Sequence, residues 1–181
     1  MRRRLRWILL ALVVIVVGGA IALVVTGKPI LDDDRDAVDA RWQALRAPLV
    51  ARYAQLDAAL AAFVAAGGGD RSVAKALQRE LSAWKKAVAD RGAESQAEIA
   101  NRLEGDGLRL KANVDASPRI KGVADVADKL AAYDASAPAA ALVRAYNAAV
   151  REYEGDRDDT LRAPVARIFG FDSRPVLVIQ A

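Results

Sequence analysis

Ser82-Ala83-Trp84-Lys85 is the arrangement in this chain that most closely matches a nucleophile and its base. In S-x-x-K acylases the lysine amine accepts the serine proton, and on a helix positions i and i+3 face each other. Such enzymes also use an S-D-N or K-T-G box, which this chain lacks, and Ser82 adjoins an apolar stripe. An ordinary helix-surface pair is the simpler reading. The chain has no His and no Cys, which removes the usual general base, the soft metal ligands, thiol nucleophiles and disulfides. Two acidic clusters, Asp32 to Asp36 and Asp156 to Asp159, supply oxygens that suit Ca²⁺. Neither has the D-x-D-x-D-G spacing of a high-affinity loop, so solvated helix ends are expected there. The sequence therefore predicts no catalytic residue, no cofactor and no metal site.

The elements that would carry any surface chemistry begin with Ile8 to Val25, 18 residues without a charged or strongly polar side chain. At 1.5 Å per residue the run spans about 27 Å, close to the roughly 30 Å hydrocarbon layer of a bilayer. Thirteen of its residues are Leu, Ile or Val, favouring insertion by roughly 4–8 kcal/mol in total. Arg2, Arg3, Arg4 and Arg6 precede it with Trp7, while Lys28, Arg35 and Arg41 follow. The arginines crowd into the first six residues, and Trp7 suits the interface. The reading is a single-pass anchor with a cytoplasmic N-terminus and an extracytoplasmic domain, with membrane lipid as its first partner. The competing reading is a cleaved signal with Ala20-Ile21-Ala22 as the cut site. The apolar run is longer than a usual signal core and continues through Leu23, Val24 and Val25, which counts against cleavage.

The net charge of +4 and pI near 9.6 invite a nucleic-acid reading that the distribution of charge removes. With the four leading arginines set aside, 23 basic residues balance 23 acidic ones. The basic excess is a membrane flank and not a footprint on a folded domain, so no nucleic-acid partner is expected.

Beyond residue 30 the chain is rich in Ala and poor in β-branched residues, favouring helix. Val38, Trp42, Leu45, Leu49, Tyr53, Leu56, Leu60 and Phe63 recur at about 3.6 residues, one stripe of a long helix. Asp34 or Asp36 is the expected cap, Pro48 the expected kink, and Gly67-Gly68-Gly69-Asp70 the clearest stop. A second stripe, Val73, Leu77, Leu81, Trp84, Val88, Ser95, Ile99 and Leu103, keeps phase across Gly92, which predicts one weakened helix. If the helix restarts there instead, Ser95 and Glu98 make a capping box. Glu104-Gly105-Asp106-Gly107 reads as a turn or frayed end, and Leu108 to Lys111 is undecided between strand and helix. A third pattern runs from Ile120 to Tyr133, Asp134 to Pro138 interrupts it, and a last helix carries Leu142, Tyr146, Val150 and Tyr153. The expected fold is all-α: an N-terminal transmembrane helix, then an antiparallel bundle of three to four long helices. Its parts are a basic flank at 1–7, the membrane helix at 8–26, a linker at 27–37, the bundle at 38–171 and an apolar tail at 172–181. The tail is expected to pack back on the bundle. Trp42, Tyr53, Phe63, Trp84, Tyr133, Tyr146 and Tyr153 lie near stripe positions and are expected in the core. Asn147, beside Tyr146, must be hydrogen-bonded between helices or exposed to a partner.

With these residues in view, the chain resembles the LemA family of bacterial membrane proteins. Arg144, Tyr146-Asn147, Val150 and Tyr153, then Ala166 and Ile168-Phe169-Gly170-Phe171, are similar to the family's R-x-YN-x-x-V-x-x-Y and its later L-F-G-F-like box. Trp42, Leu45, Leu49, Arg52, Tyr53 and Leu56 are similar to its first-helix pattern, and Pro118-Arg119-Ile120-Lys121 to its YP-x-LK. Asp57, Ser117, Glu154 and Leu161 depart from it, and between Phe63 and Ser117 only helical character matches. The resemblance, that of a divergent member, implies a non-enzymatic protein of the bacterial cytoplasmic membrane. Its helical domain would present a protein-interaction surface to envelope proteins, with a membrane metallopeptidase system as the associated partner class. The alternative is an extracytoplasmic ligand-binding or sensory bundle acting through a membrane partner.

Overall fold

The computed structural model describes residues 2–69, 71–90 and 93–179. The described residues are helical throughout except for turns and an extended C-terminal stretch, and they contain no strand. Helix α1 (Arg2–Phe63) is followed by a π-helical turn (Val64–Gly68), α2 (Ser72–Asp90), α3 (Ala93–Asp115), α4 (Pro118–Lys121), α5 (Ala124–Ala135), α6 (Ala140–Asp158) and α7 (Ala163–Phe169).

Helix α1 is the axis of the molecule. Its first part is long and apolar enough to cross a membrane, and Leu12, Val14, Ile15 and Ile21 are exposed along it. From Leu31 onward one face is sealed: Leu31, Val38, Trp42, Leu45, Leu49, Tyr53, Leu56, Leu60 and Phe63 are all buried. This is the predicted stripe, extended by two turns towards the N-terminus. Helices α5 and α6 lie along α1, and α2 pairs with α3.

Segment 27–37 is not a linker, and neither Asp34 nor Asp36 is a cap, because α1 passes straight through. Lys28 and Asp32 pair at 2.5 Å and Arg35 and Asp32 at 3.3 Å, one turn apart along the helix. Leu31 contributes an apolar side chain to the core. The helix also continues through Pro29 and Pro48. A lost backbone bond costs up to about 3 kcal/mol, which the burial of Leu45 and Leu49 on either side of Pro48 offsets.

The glycine stop is realised. Gly67 has φ +93, and a Cβ on Gly68 would lie 2.3 Å from the Phe63 ring, so both positions require glycine.

Two expectations fail in the middle of the chain. The Val73–Leu103 stripe belongs to two helices rather than one weakened helix, with Gly92 itself outside the described residues. The last carbonyls of α2 find distant partners: Arg46 donates to Val88 O at 2.5 Å and Gln96 Nε2 to Ala87 O at 2.9 Å. The break shifts the buried face, so that Gln96 is buried and Ser95 exposed, and Ser95 lies inside α3 rather than capping it. Residues 104–107 form no turn, for α3 continues to Asp115, and Leu108 to Lys111 is helical.

Pro118 starts the short α4, and the interruption at Asp134 to Pro138, open between a loop and a kink in the sequence, is realised as a loop separating α5 from α6. Helix α6 runs through Gly155 to Asp158. The tail does pack back, with Phe171 and Leu177 in the core, so the apolar domain extends on both sides of the expected 38–171.

Candidate functional site

The most concentrated polar chemistry lies in the half of the domain farther along α1 from its apolar segment. Arg52, on the apolar stripe of α1, is fully buried, and Glu104 of α3 meets it there. Arg52 Nε donates to Glu104 Oε1 at 2.7 Å and Nη2 to Oε2 at 2.8 Å, a two-pronged pair. Nη1 donates to Tyr133 O at 3.0 Å, and the guanidinium carbon stands 4.1 Å from the centre of the Tyr133 ring. Tyr133 in turn donates its hydroxyl to Glu104 Oε2 at 3.3 Å. Three elements thus converge on one sealed charge pair.

Burial works against the charge on Arg52, but the hydrogen bonds and the field of Glu104 outweigh it and hold the guanidinium above its usual range. Burial, reinforced by the carboxylate of Glu104, pushes both Tyr53 and Tyr133 upward, so neither phenol ionises near neutrality. Gly107 leaves room for this arrangement: a Cβ there would sit 2.8 Å from the Tyr133 hydroxyl. A closed pair without solvent access is chemically suited to registering helices, and a substrate has no path to it.

Trp42 and Tyr53, on the same stripe of α1, tie it to its neighbours. Trp42 donates to Gln96 Oε1 at 2.9 Å and stacks obliquely on Tyr146 with ring centres 5.2 Å apart. Tyr53 meets Trp84 edge-on at 4.8 Å and donates to Ala100 O at 3.2 Å. All seven aromatics expected in the core are buried.

A second constellation holds the C-terminal stretch. Asn147 Nδ2 donates to Leu177 O at 2.8 Å, and Leu177 N donates back to Asn147 Oδ1 at 2.7 Å. Asn101 of α3 grips the neighbouring residues alike, donating to Val176 O at 2.8 Å and accepting from Val178 N at 2.9 Å. Tyr146 donates to Pro175 O at 2.9 Å, and Tyr153 to Asp172 O at 2.8 Å. Glu154 accepts from Arg174 N at 2.5 Å and from Ser173 Oγ at 3.2 Å. The Tyr-Asn and Tyr positions of α6 therefore serve the chain's own tail. Asn147 bonds neither a facing helix nor open solvent.

The third region surrounds α7. Gly170 takes the left-handed conformation, φ +69, and Phe171 N donates to Ala166 O at 2.9 Å, closing the helix. Lys28 stands 5.7 Å from the Phe169 ring and Arg35 5.3 Å from the Phe171 ring. Here the two acidic clusters meet. Burial raises the Asp34 carboxyl to about 6, and facing Asp156 and Glu152 push it the same way. Arg162 pairs with Asp156 and opposes that rise. Among the described residues, no group of three acidic side chains has the geometry to hold a metal ion.

Arg144 stands apart, exposed on α6. Trp7 is exposed, while the side chains of Arg2, Arg3, Arg4 and Arg6 and those at 8–11, 16 and 20 lie outside the described residues. The S-x-x-K pair is not assembled. Ser82 donates to Gln78 O at 2.8 Å within its own helix, and Lys85 reaches Asp57 at 2.8 Å.

Asn101, Gln96 and the buried role of Glu104 escaped the reading of the sequence, and Asp34 was read only as a cap or a solvated acid. Glu104 lay inside an apparent turn, and Gln96 lay one position off the extrapolated stripe. Polar residues embedded in an otherwise apolar face were the available signal. Compared with family models, curated proteins and solved structures, the chain gives no match.

Proposed function

We propose that this protein is a non-enzymatic, single-pass membrane protein of the bacterial envelope, similar to the LemA family. Its antiparallel bundle of three to four long helices would stand outside the cytoplasmic membrane and present a docking surface to other envelope proteins. One observation carries the reading: α1 is a single helix, apolar and exposed near its start and the spine of the core towards its end. An interaction surface is available on the open side of that spine. A shallow, mostly apolar groove of about 490 Å³ follows Gln43, Arg46, Ala47, Val50, Ala51 and Ala54.

A photo-crosslinking residue at Val50, in the full chain in its native membrane, should give a discrete adduct that the same residue at Lys86 does not. Equal, diffuse labelling at both positions would overturn the reading.

The second reading, a ligand-binding bundle, draws on a cleft of about 660 Å³ bordered by Arg157, Asp158, Arg167 and Ser173. Arg167 there is exposed and suits an acidic group, while Arg157 is already paired with Glu154 and Asp158. Thermal stabilisation of the full chain across a set of small anions would favour it, because a binder is stabilised by mass action.

A further inference from the structure

The surface around α7 carries apolar side chains out of keeping with a water-facing helix end. Leu161 is 63% exposed, Ile168 72% and Phe169 43%, within nine residues of one another. The same segment also reaches the core through Val165 and Ala166. Part of this apolar surface is covered by protein, and the other part stands open.

Its position along α1 says what covers the other. Helix α7 packs on α1 at Gly27, where an added Cβ would lie 3.6 Å from Val165 and 3.7 Å from Arg162. Gly27 is two residues past Val25, so the contact lies about 3 Å along the axis from the end of the apolar run. Leu23 and Val24, inside that run, already pack against the domain's core. Headgroup layers add roughly 5–8 Å to each side of the hydrocarbon, and a helix with its side chains is about 10 Å across. An element attached at this height cannot stand clear of the headgroups. Lys28, Arg162 and Arg167 flank it, with stems long enough to keep their charges in the polar layer while the apolar tips point inward.

We propose that α7 and the turn before it lie in the interfacial layer of the same bilayer that α1 crosses, with Leu161, Ile168 and Phe169 seated in lipid. The occupant of this surface is phospholipid, continuous with the lipid around α1. The proposal rests on reading Ile8 to Val25 as membrane-spanning. Tethering at two points, a spanning helix and a surface helix, fixes the rotation of the domain about α1, which a single helix leaves free.

The absence of cysteine from the chain allows single nitroxide labels at chosen positions. The full chain would be reconstituted in vesicles of phosphatidylcholine and phosphatidylglycerol as Leu161→Cys, Ile168→Cys, Val50→Cys or Ile15→Cys. Accessibility to oxygen over a water-soluble nickel chelate reports depth. Labels at 161 and 168 should show a ratio severalfold above that at 50 and below that at 15. If 161 and 168 match 50 while 15 lies deep, lipid seating of α7 is wrong and the anchor stands. If 15 itself reads as aqueous, the anchor falls and this proposal with it. Immobilised spectra at 161 and 168 without oxygen enrichment would assign the surface to protein and also overturn the proposal.

Discussion

The two ends of the helical domain are held in different ways. Away from the apolar run, Arg52, Glu104 and Tyr133 form a closed charge centre inside an apolar shell, bonded through side chains and a carbonyl. Near that run, the tail and α7 are held by side chains gripping main chain and by partly exposed ion pairs, with the carboxyls of Asp34 and Asp156 set against one another. In a low-dielectric interior, a charge pair is nearly all-or-none: complete it registers three helices, and incomplete it is ruinous. Main-chain grips and surface pairs are graded, and each can be lost with a modest penalty. The distal end sets the fold, and the proximal end can adjust.

The sharpest way to break this contrast is Glu104→Ala, which strands the Arg52 guanidinium without its carboxylate. A loss of about 3–5 kcal/mol is expected, measured by denaturation of the full chain in detergent with tryptophan fluorescence as the probe. Replacing both partners, as Arg52→Met with Glu104→Leu, should recover most of it. If the single change were as mild as the double, the centre would not be a unit. Gly107→Ala should cost about 1–3 kcal/mol by driving a methyl into the Tyr133 hydroxyl, and it should add little to Glu104→Ala, because both act on the same contact.

At the proximal end, Asn147→Ala removes two hydrogen bonds to Leu177 and should cost about 1–2 kcal/mol. Hydrogen exchange should show the amides of residues 177 and 178 opening faster while those of α1 near Leu49 keep their protection. Uniform loss of protection would mean that the tail is as integral as the charge centre.

The smallest effect concerns pH. Asp34 titrates at about 6 in the folded protein against 3.8 for an unperturbed carboxyl, so the folded state holds more protons than the unfolded state between those values. Stability attributable to this group therefore rises as pH falls from 7 through 6, and the gain is complete below about 4. Asp34→Asn should remove that slope and stabilise the protein at pH 7 by on the order of 1 kcal/mol after allowance for partial exposure. A steeper slope in the variant would contradict the opposed-carboxyl picture.

Much of this was legible in the order of residues. The Val38–Phe63 stripe, the Gly67-Gly68 stop and the burial of Trp42, Tyr146 and Tyr153 follow from periodicity and glycine geometry alone, because those signals are local. What was hidden depended on residues far apart in the chain. Gly92 looked tolerable within a helix, since the groups that end α2 come from Arg46 and Gln96. Glu104 sat just before the Gly105-Asp106-Gly107 run like a turn residue, since its partner is 52 residues away. The span 27–37 looked like a linker because its aspartates suggested solvent, whereas Leu31 faces the core and Asp32 bonds along its own helix. Local chemistry named the helices; long-range hydrogen bonds decided where they end.

The uninterrupted α1, 62 residues long, has a mechanical corollary. From Val25 to Phe63 it projects about 57 Å beyond the apolar run. On the membrane-spanning reading proposed above, leaning of the apolar part carries the rest of the continuous helix with it. The average inclination of spanning helices, about 20°, would carry the far tip sideways by about 20 Å. On the proposed reading of residues 8–25 as membrane-spanning, bilayer thickness would bear on where the groove at Val50 stands.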